Sequence, residues 1–217
     1  GQYVGGFVKG KEVPGYLDEE GANTESKTET FVAVKAHLDN WRWAGVPFYL
    51  RTGKRLPSKT SEVVIFFKRQ PHNLFGESFS QLPANKLTIR LQPDEGVEVT
   101  VMNKVPGLNG TGPMKLQKSK LNLSFSETFK DERIADAYEK LLLEVMKGNQ
   151  ALFVRRDEVE QAWTWIDGIF KAWSVTDELP EPYQAGTWGP SASIAMLARD
   201  DRAWYESLGK KLGKGIL

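Results

Sequence analysis

The chain contains no cysteine. That absence excludes disulfides, thiolate metal sites and a cysteine nucleophile, and it suits a cytoplasmic protein. Histidine is scarce, with His37 and His72 as the two examples. Neither has a carboxylate in an obvious orienting position, so both read as structural or solvated residues rather than as a base or a ligand. Metal-ligand spacing is missing altogether. Net charge is nearly absent too, at +1, whereas nucleic-acid binders usually show a strongly basic face. No apolar run approaches the roughly 20 residues of a membrane span, and no signal peptide is visible. The chain also lacks internal repeats, low-complexity tracts and an initiator methionine; Gly1-Gln2-Tyr3-Val4 is how a piece of a longer protein would open.

What is present is enough chain for one sizeable domain: 217 residues, 40% hydrophobic and 26% charged, which is ordinary for a globular protein. The first half reads as strands. In Thr30–Leu38, Val32, Val34, Ala36 and Leu38 share one face while Lys35 and His37 share the other, the period-two signature of a half-buried strand. Val46–Arg51, Val63–Phe67, Leu87–Leu91, Val97–Asn103 and Lys120–Phe125 read the same way, and Pro93–Gly96 supplies a tight turn for an antiparallel hairpin. The second half turns helical. Ile134–Lys147 carries one apolar stripe and ends at Gly148. Asp157 with Glu160 resembles a capping box for a helix lined by Val159, Trp163, Ile166, Phe170 and Trp173, which would bury Trp163 and Trp173. Ser191–Arg199 is a third helix. Strands followed by helices predict an α+β fold: a large, mostly antiparallel sheet with helices packed on one face.

The densest chemistry lies between two β-prone runs, where Arg51, Lys54, Arg55 and Lys59 fall within nine positions punctuated by Gly53 and Pro57. A tight, supported cluster of cations is what an anionic group such as a phosphate needs, with arginine as a planar fork and lysine as a mobile point charge. An unremarkable alternative is a solubilising hairpin loop. Other candidates fail on spacing. Gly107–Gly112 lacks the G-x-G-x-x-G order and does not open a βαβ helix, and Gly53-Lys54 lacks the earlier glycine of a phosphate-binding P-loop. Asp157, Glu158 and Glu160 suit a helix N-terminus, and Asp18, Glu19 and Glu20 a solvated turn. No catalytic centre is contained in the chain.

Phe48-Tyr49-Leu50-Arg51-Thr52-Gly53-Lys54-Arg55-Leu56 resembles the substrate-domain signature of the glucose-6-phosphate dehydrogenases. Asn40–Pro47, Leu87–Glu95, Asp136–Leu142 and Phe153–Glu158 agree with that family, in order, from residue 1 to about residue 205. The flavour is bacterial. The resemblance implies an oxidoreductase that oxidises glucose 6-phosphate to 6-phosphogluconolactone with NADP, the entry step of the oxidative pentose phosphate pathway. It implies that residues 1–207 are the C-terminal substrate-binding and dimerisation domain, with 208–217 a flexible tail. The coenzyme domain, its fingerprint and the catalytic histidine would precede residue 1, so NADP would be bound there. Carried over position by position, Lys54 matches a lysine that contacts the sugar phosphate, Lys59 a second basic contact, and Gln92 a further contact. An equal reading of Gln92 is a strand-end residue satisfying its turn. The resemblance also implies a homodimer or homotetramer formed through the sheet. Some eukaryotic relatives hold a second, structural NADP in this domain. Arg51 and Arg90 match two of its cations, but Val64, Trp188, Glu98, Thr100 and Asn122 depart from its pattern, which argues against that site here.

Two readings outside the enzyme remain open from the residues themselves. The alternating apolar faces would suit a structural assembly module. Exposed tryptophans with basic loops would suit a carbohydrate- or nucleic-acid-binding module.

Overall fold

The computed structural model describes residues 1–68, 83–106, 116–133, 135–176 and 178–205. His72, the Gly107–Gly112 segment, Ile134 and the 208–217 tail lie outside them. The chain divides into two units, Gly1–Ser58 with Glu144–Leu217 and Lys59–Leu143.

In the first unit, β1 (Gln2–Val4) pairs in parallel with β10 (Pro182–Gln184), joining residues 180 positions apart in register from Gln2↔Pro182 to Val4↔Gln184. β2 (Gly6–Val8) and β3 (Lys11–Val13) form a hairpin. Its two turn residues, Lys9 at φ 52° and Gly10 at φ 77°, have the paired positive φ of a turn that follows the strand twist. β4 (Phe31–His37) and β5 (Pro47–Gly53) form a seven-residue antiparallel ladder. Between them, the Asn40 side chain accepts from the backbone N–H groups of Arg42 and Trp43, a local turn that returns the chain. The alternation expected in β4 is present. Val32 and Val34 lie on one face with Leu50 and Thr52, while Ala33 and Lys35 lie on the other with Arg51 and Tyr49.

The core of this unit is aromatic. Tyr3, Phe31, Tyr183 and Ala185 are buried together, with Val8, Val13, Tyr16, Ala33 and Leu56 packed against them. The rings meet edge-on or tilted, with centroids 5.5 Å apart for Phe31–Tyr183 and 5.9 Å for Tyr3–Tyr16, the geometry aromatic quadrupoles favour. The helix α3 (Arg156–Thr176) faces β4 and β5 across a cavity of about 280 Å³ lined by Val34, Leu50, Ile166, Phe170 and Trp173. The sequence places Trp163 and Trp173 in the interior, but they are 58% and 42% exposed. The helix approaches the ladder without closing on it, so its stripe keeps solvent contact. Its start also differs from expectation. The helix begins at Arg156, and Glu158 rather than Glu160 makes the cap contact, its carboxylate accepting the Arg155 N–H at 3.1 Å; Arg155 has no acceptor with which to complete a box. α4 (Ser191–Ala198) begins after Pro190.

The second unit is built on the four-stranded antiparallel sheet β6 (Ser61–Phe66), β7 (Lys86–Gln92), β8 (Gly96–Lys104) and β9 (Leu116–Ser124), in that order. Register puts Val63, Ile65, Leu87, Ile89, Val97, Val99, Leu121 and Leu123 on one face. The other face carries Glu62, Lys86, Thr88, Arg90, Glu98, Lys120 and Asn122. Val63, Leu121 and Leu123 on the apolar face are exposed. A four-residue helix, α1 (Phe125–Thr128), follows β9, and α2 (Ala137–Lys147) follows α1. The α+β, antiparallel character is as the sequence predicts, although among the described residues the pairing is distributed over three antiparallel sheets and one parallel pair rather than one broad sheet.

Candidate functional site

The basic turn leaves β5 at Gly53, where space is short. A Cβ there would come within 2.7 Å of the Phe31 ring and 3.3 Å of Leu56, so the strand end lies flat on the core only because residue 53 has no side chain. Three backbone groups of the next two residues are then held. The Lys54 N–H donates to Thr30 O at 2.8 Å, the Tyr183 hydroxyl donates to Lys54 O at 2.8 Å, and the Gly186 N–H donates to Arg55 O at 2.7 Å. Arg55 has φ 52°, a left-handed conformation that a non-glycine residue holds only when its surroundings enforce it.

The four cations have different fates. The Arg55 guanidinium donates to Glu19 at 2.5 Å, and the Tyr3 hydroxyl donates to the same carboxylate at 3.0 Å. Together, Arg55 first and Tyr3 second, they hold the Glu19 carboxyl below its usual range, while burial chiefly pushes the Tyr3 phenol up. Arg51 lies between the rings of Trp188 and Trp204, 4.8 and 4.6 Å from their centroids. Lys54 and Lys59 are exposed and make no ion pair with any described residue. Their ammonium groups are therefore the cations of the turn that are open to an anion. Gln92 ends β7 opposite Ser61 in β6, so Gln92 and Lys59, two residues before Ser61, come to the same end of that ladder. Lys54 belongs to the first unit and Lys59 with Gln92 to the second.

Other candidates stay empty of chemistry. His37 ends β4, exposed, opposite Pro47. No group of three or more histidines or acidic residues that could hold a metal occurs among the described residues. None of their helices is long and apolar enough to cross a membrane. No described strand, glycine turn and helix form the βαβ unit that would take a dinucleotide. Arg90 donates to Asn122 at 2.8 Å and to Asp94 O at 3.3 Å, so that cation is engaged within its own sheet.

Sequence reasoning did not find Thr30, Tyr183 or Gly186, and it read Glu19 as part of a solvated turn rather than as the partner of Arg55. It also missed a clasp on the face of the β4–β5 ladder that carries Arg51, where Asp200 accepts from Lys35 Nζ at 2.6 Å and from the Tyr49 hydroxyl. Lys35 and Tyr49 are direct cross-strand partners, which a register could have suggested, but Asp200 lies far along the chain.

Fold and turn together define an α+β domain of antiparallel sheets that presents lysines on a braced turn and contains no complete catalytic set among its described residues. The chain belongs to the family described as glucose-6-phosphate dehydrogenase, C-terminal domain, whose pattern matches residues 1–205. It is 65% identical over 206 residues to the glucose-6-phosphate 1-dehydrogenase of Dickeya dadantii, covering 95% of this chain and 42% of that protein. It is 56% identical to the enzyme of Rhizobium meliloti, covering 96% of this chain and 41% of that one. Among solved structures it is similar to a glucose-6-phosphate dehydrogenase in complex with its substrate glucose-6-phosphate. There the TM-score is 0.81 at 32% identity, covering 95% of this chain and 41% of the other. A second is the glucose-6-phosphate 1-dehydrogenase of Mycobacterium avium, with a TM-score of 0.71 at 31% identity, covering 94% and 40%. The chain thus spans about two fifths of the length of these relatives.

Proposed function

We propose that this chain is the substrate-binding and oligomerisation part of a cytoplasmic enzyme that oxidises C1 of glucose 6-phosphate to the lactone with NADP as hydride acceptor. The observation that carries the reading is the contrast among the four cations: two arginines are engaged by Glu19 and by Trp188 and Trp204, while Lys54 stays exposed on a residue whose N–H and C=O are both hydrogen-bonded, and Lys59 is exposed as well. An ammonium group held this way attracts and orients a phosphate without first having to break an internal pair. The Gln92 amide can donate to a phosphate oxygen or accept from a sugar hydroxyl. Family membership and the substrate complex of the similar structure support the same assignment.

In this reading, the residues of the chain bind and orient the sugar phosphate. The coenzyme supplies the hydride acceptor from another domain of the whole enzyme, which also provides the base for the C1 hydroxyl. Exposed Val63, Leu121 and Leu123 support subunit pairing through the sheet as a homodimer or homotetramer. In the full-length enzyme, Lys54→Ala should raise KM for glucose 6-phosphate by about 10- to 100-fold, the loss of one charge-assisted hydrogen bond. Lys59→Ala should act in the same direction. Steady-state kinetics check both, and an unchanged KM for Lys54→Ala would remove that residue from the site.

A further inference from the structure

Tyr183 has the wrong partners for a purely space-filling residue. It is 4% exposed, and its ring packs on Phe31 and Tyr3. Its hydroxyl lies 2.8 Å from Lys54 O, 3.1 Å from Thr30 Oγ1 and 3.2 Å from Thr30 O. Thr30 Oγ1 in turn accepts the Tyr3 N–H at 3.0 Å. A hydroxyl has one proton to give, so one directed chain satisfies the short contacts. The Tyr3 N–H donates to Thr30 Oγ1, the Thr30 hydroxyl donates to the Tyr183 oxygen, and the Tyr183 hydroxyl donates to Lys54 O. Burial pushes the Tyr183 phenol up, which keeps that last proton in place.

We propose that Tyr183 is a positioning residue for Lys54: its hydroxyl fixes the peptide plane from which the lysine side chain leaves the turn. The proposal rests on the reading of Lys54 as a contact to the phosphate of the substrate. Geometry supports it on both sides of that plane. The Lys54 N–H is held by Thr30 O and the next carbonyl, Arg55 O, by the Gly186 N–H. The segment Tyr183–Gly186 therefore grips two consecutive carbonyls of the turn, from a strand 129 residues away in sequence. Without the hydroxyl, Lys54 O loses its donor, and the turn must be ordered when substrate binds rather than before. Such ordering is charged to binding and not to the chemical step.

The test is steady-state kinetics on the full-length dehydrogenase carrying Tyr183→Phe, Lys54→Ala or both. Tyr183→Phe keeps the ring and its packing. It should raise KM for glucose 6-phosphate about 5- to 15-fold, the equivalent of one hydrogen bond, with kcat and the KM for NADP within about twofold of the parent. On the Lys54→Ala background it should add less than about twofold, because the side chain being positioned is gone. A silent Tyr183→Phe beside a large Lys54→Ala effect overturns the positioning role and leaves the phosphate reading standing. A silent Lys54→Ala overturns the phosphate reading and the proposal with it. Additive effects, or a parallel loss of kcat and of NADP affinity, assign Tyr183 a general structural role and overturn the proposal. Should Tyr183→Phe fail to accumulate, Tyr183→Met removes the same hydroxyl with a flexible apolar side chain that can fill the space of the ring. It should raise the same KM in the same selective way, and no rise would also overturn the proposal.

Discussion

Arg51, Lys54, Arg55 and Lys59 carry the same charge but keep different company, and that company decides what each can do. The same holds at Asp200, whose carboxyl is held below its usual range by the Lys35 ammonium first and the Tyr49 hydroxyl second. A carboxyl with a depressed folded-state pKa contributes stability above its unfolded value, near 3.9, and loses it as pH falls through the folded value. The Lys35 ammonium is raised, chiefly by the same bond, so its contribution is present below the ordinary lysine value near 10.4 and lost as pH rises through the folded value. The clasp is therefore complete between about pH 4 and pH 10. Asp200→Asn should lower the melting temperature at pH 7, and the deficit should shrink as pH falls below about 4 through the depressed folded value of that carboxyl, as thermal unfolding over a descending pH series would show. Gly186 gives a sharper case. Its φ is +86°, and a Cβ there would lie 1.9 Å from Phe7 O. Gly186→Ala should destabilise by about 2–4 kcal/mol, from left-handed strain and backbone displacement together. Denaturant unfolding reads that loss.

Most elements were legible where a period had room to repeat. The seven-residue β4 and nine-residue β8 show clear alternation, and their expected spans differ from the observed ones by a few residues. β1, β2, β3 and β10 have three residues each, too few for periodicity to register. The pairing of β1 with β10 joins the two ends of the domain, and nothing local announces it. The candidate site divides in the same way. Lys54, Lys59 and Gln92 were reachable through motif resemblance, whereas Tyr183 was not, because the carbonyl it serves lies 129 positions away. The capping box expected at Asp157 and Glu160 is replaced by a single contact two residues earlier, from the Arg155 N–H to the Glu158 carboxylate. α2 begins at a local cap, with Asp136 Oδ1 accepting the Tyr138 N–H at 2.9 Å. Asp136→Ala should cost about 1 kcal/mol of stability, measurable by chemical unfolding, while Asp136→Ser should restore most of it.

At the scale of the whole molecule, the described residues contain no catalytic set. By itself the chain should reduce no NADP in the presence of glucose 6-phosphate. A few charge-assisted contacts on an open surface, each worth roughly 1.5–3 kcal/mol, come close to cancelling the cost of association. Calorimetric titration of the chain with glucose 6-phosphate should accordingly give a Kd of about millimolar or weaker. The measurement that bears most directly on the central claim, that Lys54 serves the phosphate and not the chemistry, is a comparison of two substrates on the full-length enzyme. Glucose presents the same C1 hydroxyl as glucose 6-phosphate but no phosphate. Lys54→Ala should lower kcat/KM for glucose 6-phosphate by about 10- to 100-fold and leave kcat/KM for glucose within about twofold. An equal fall for both sugars would contradict the account.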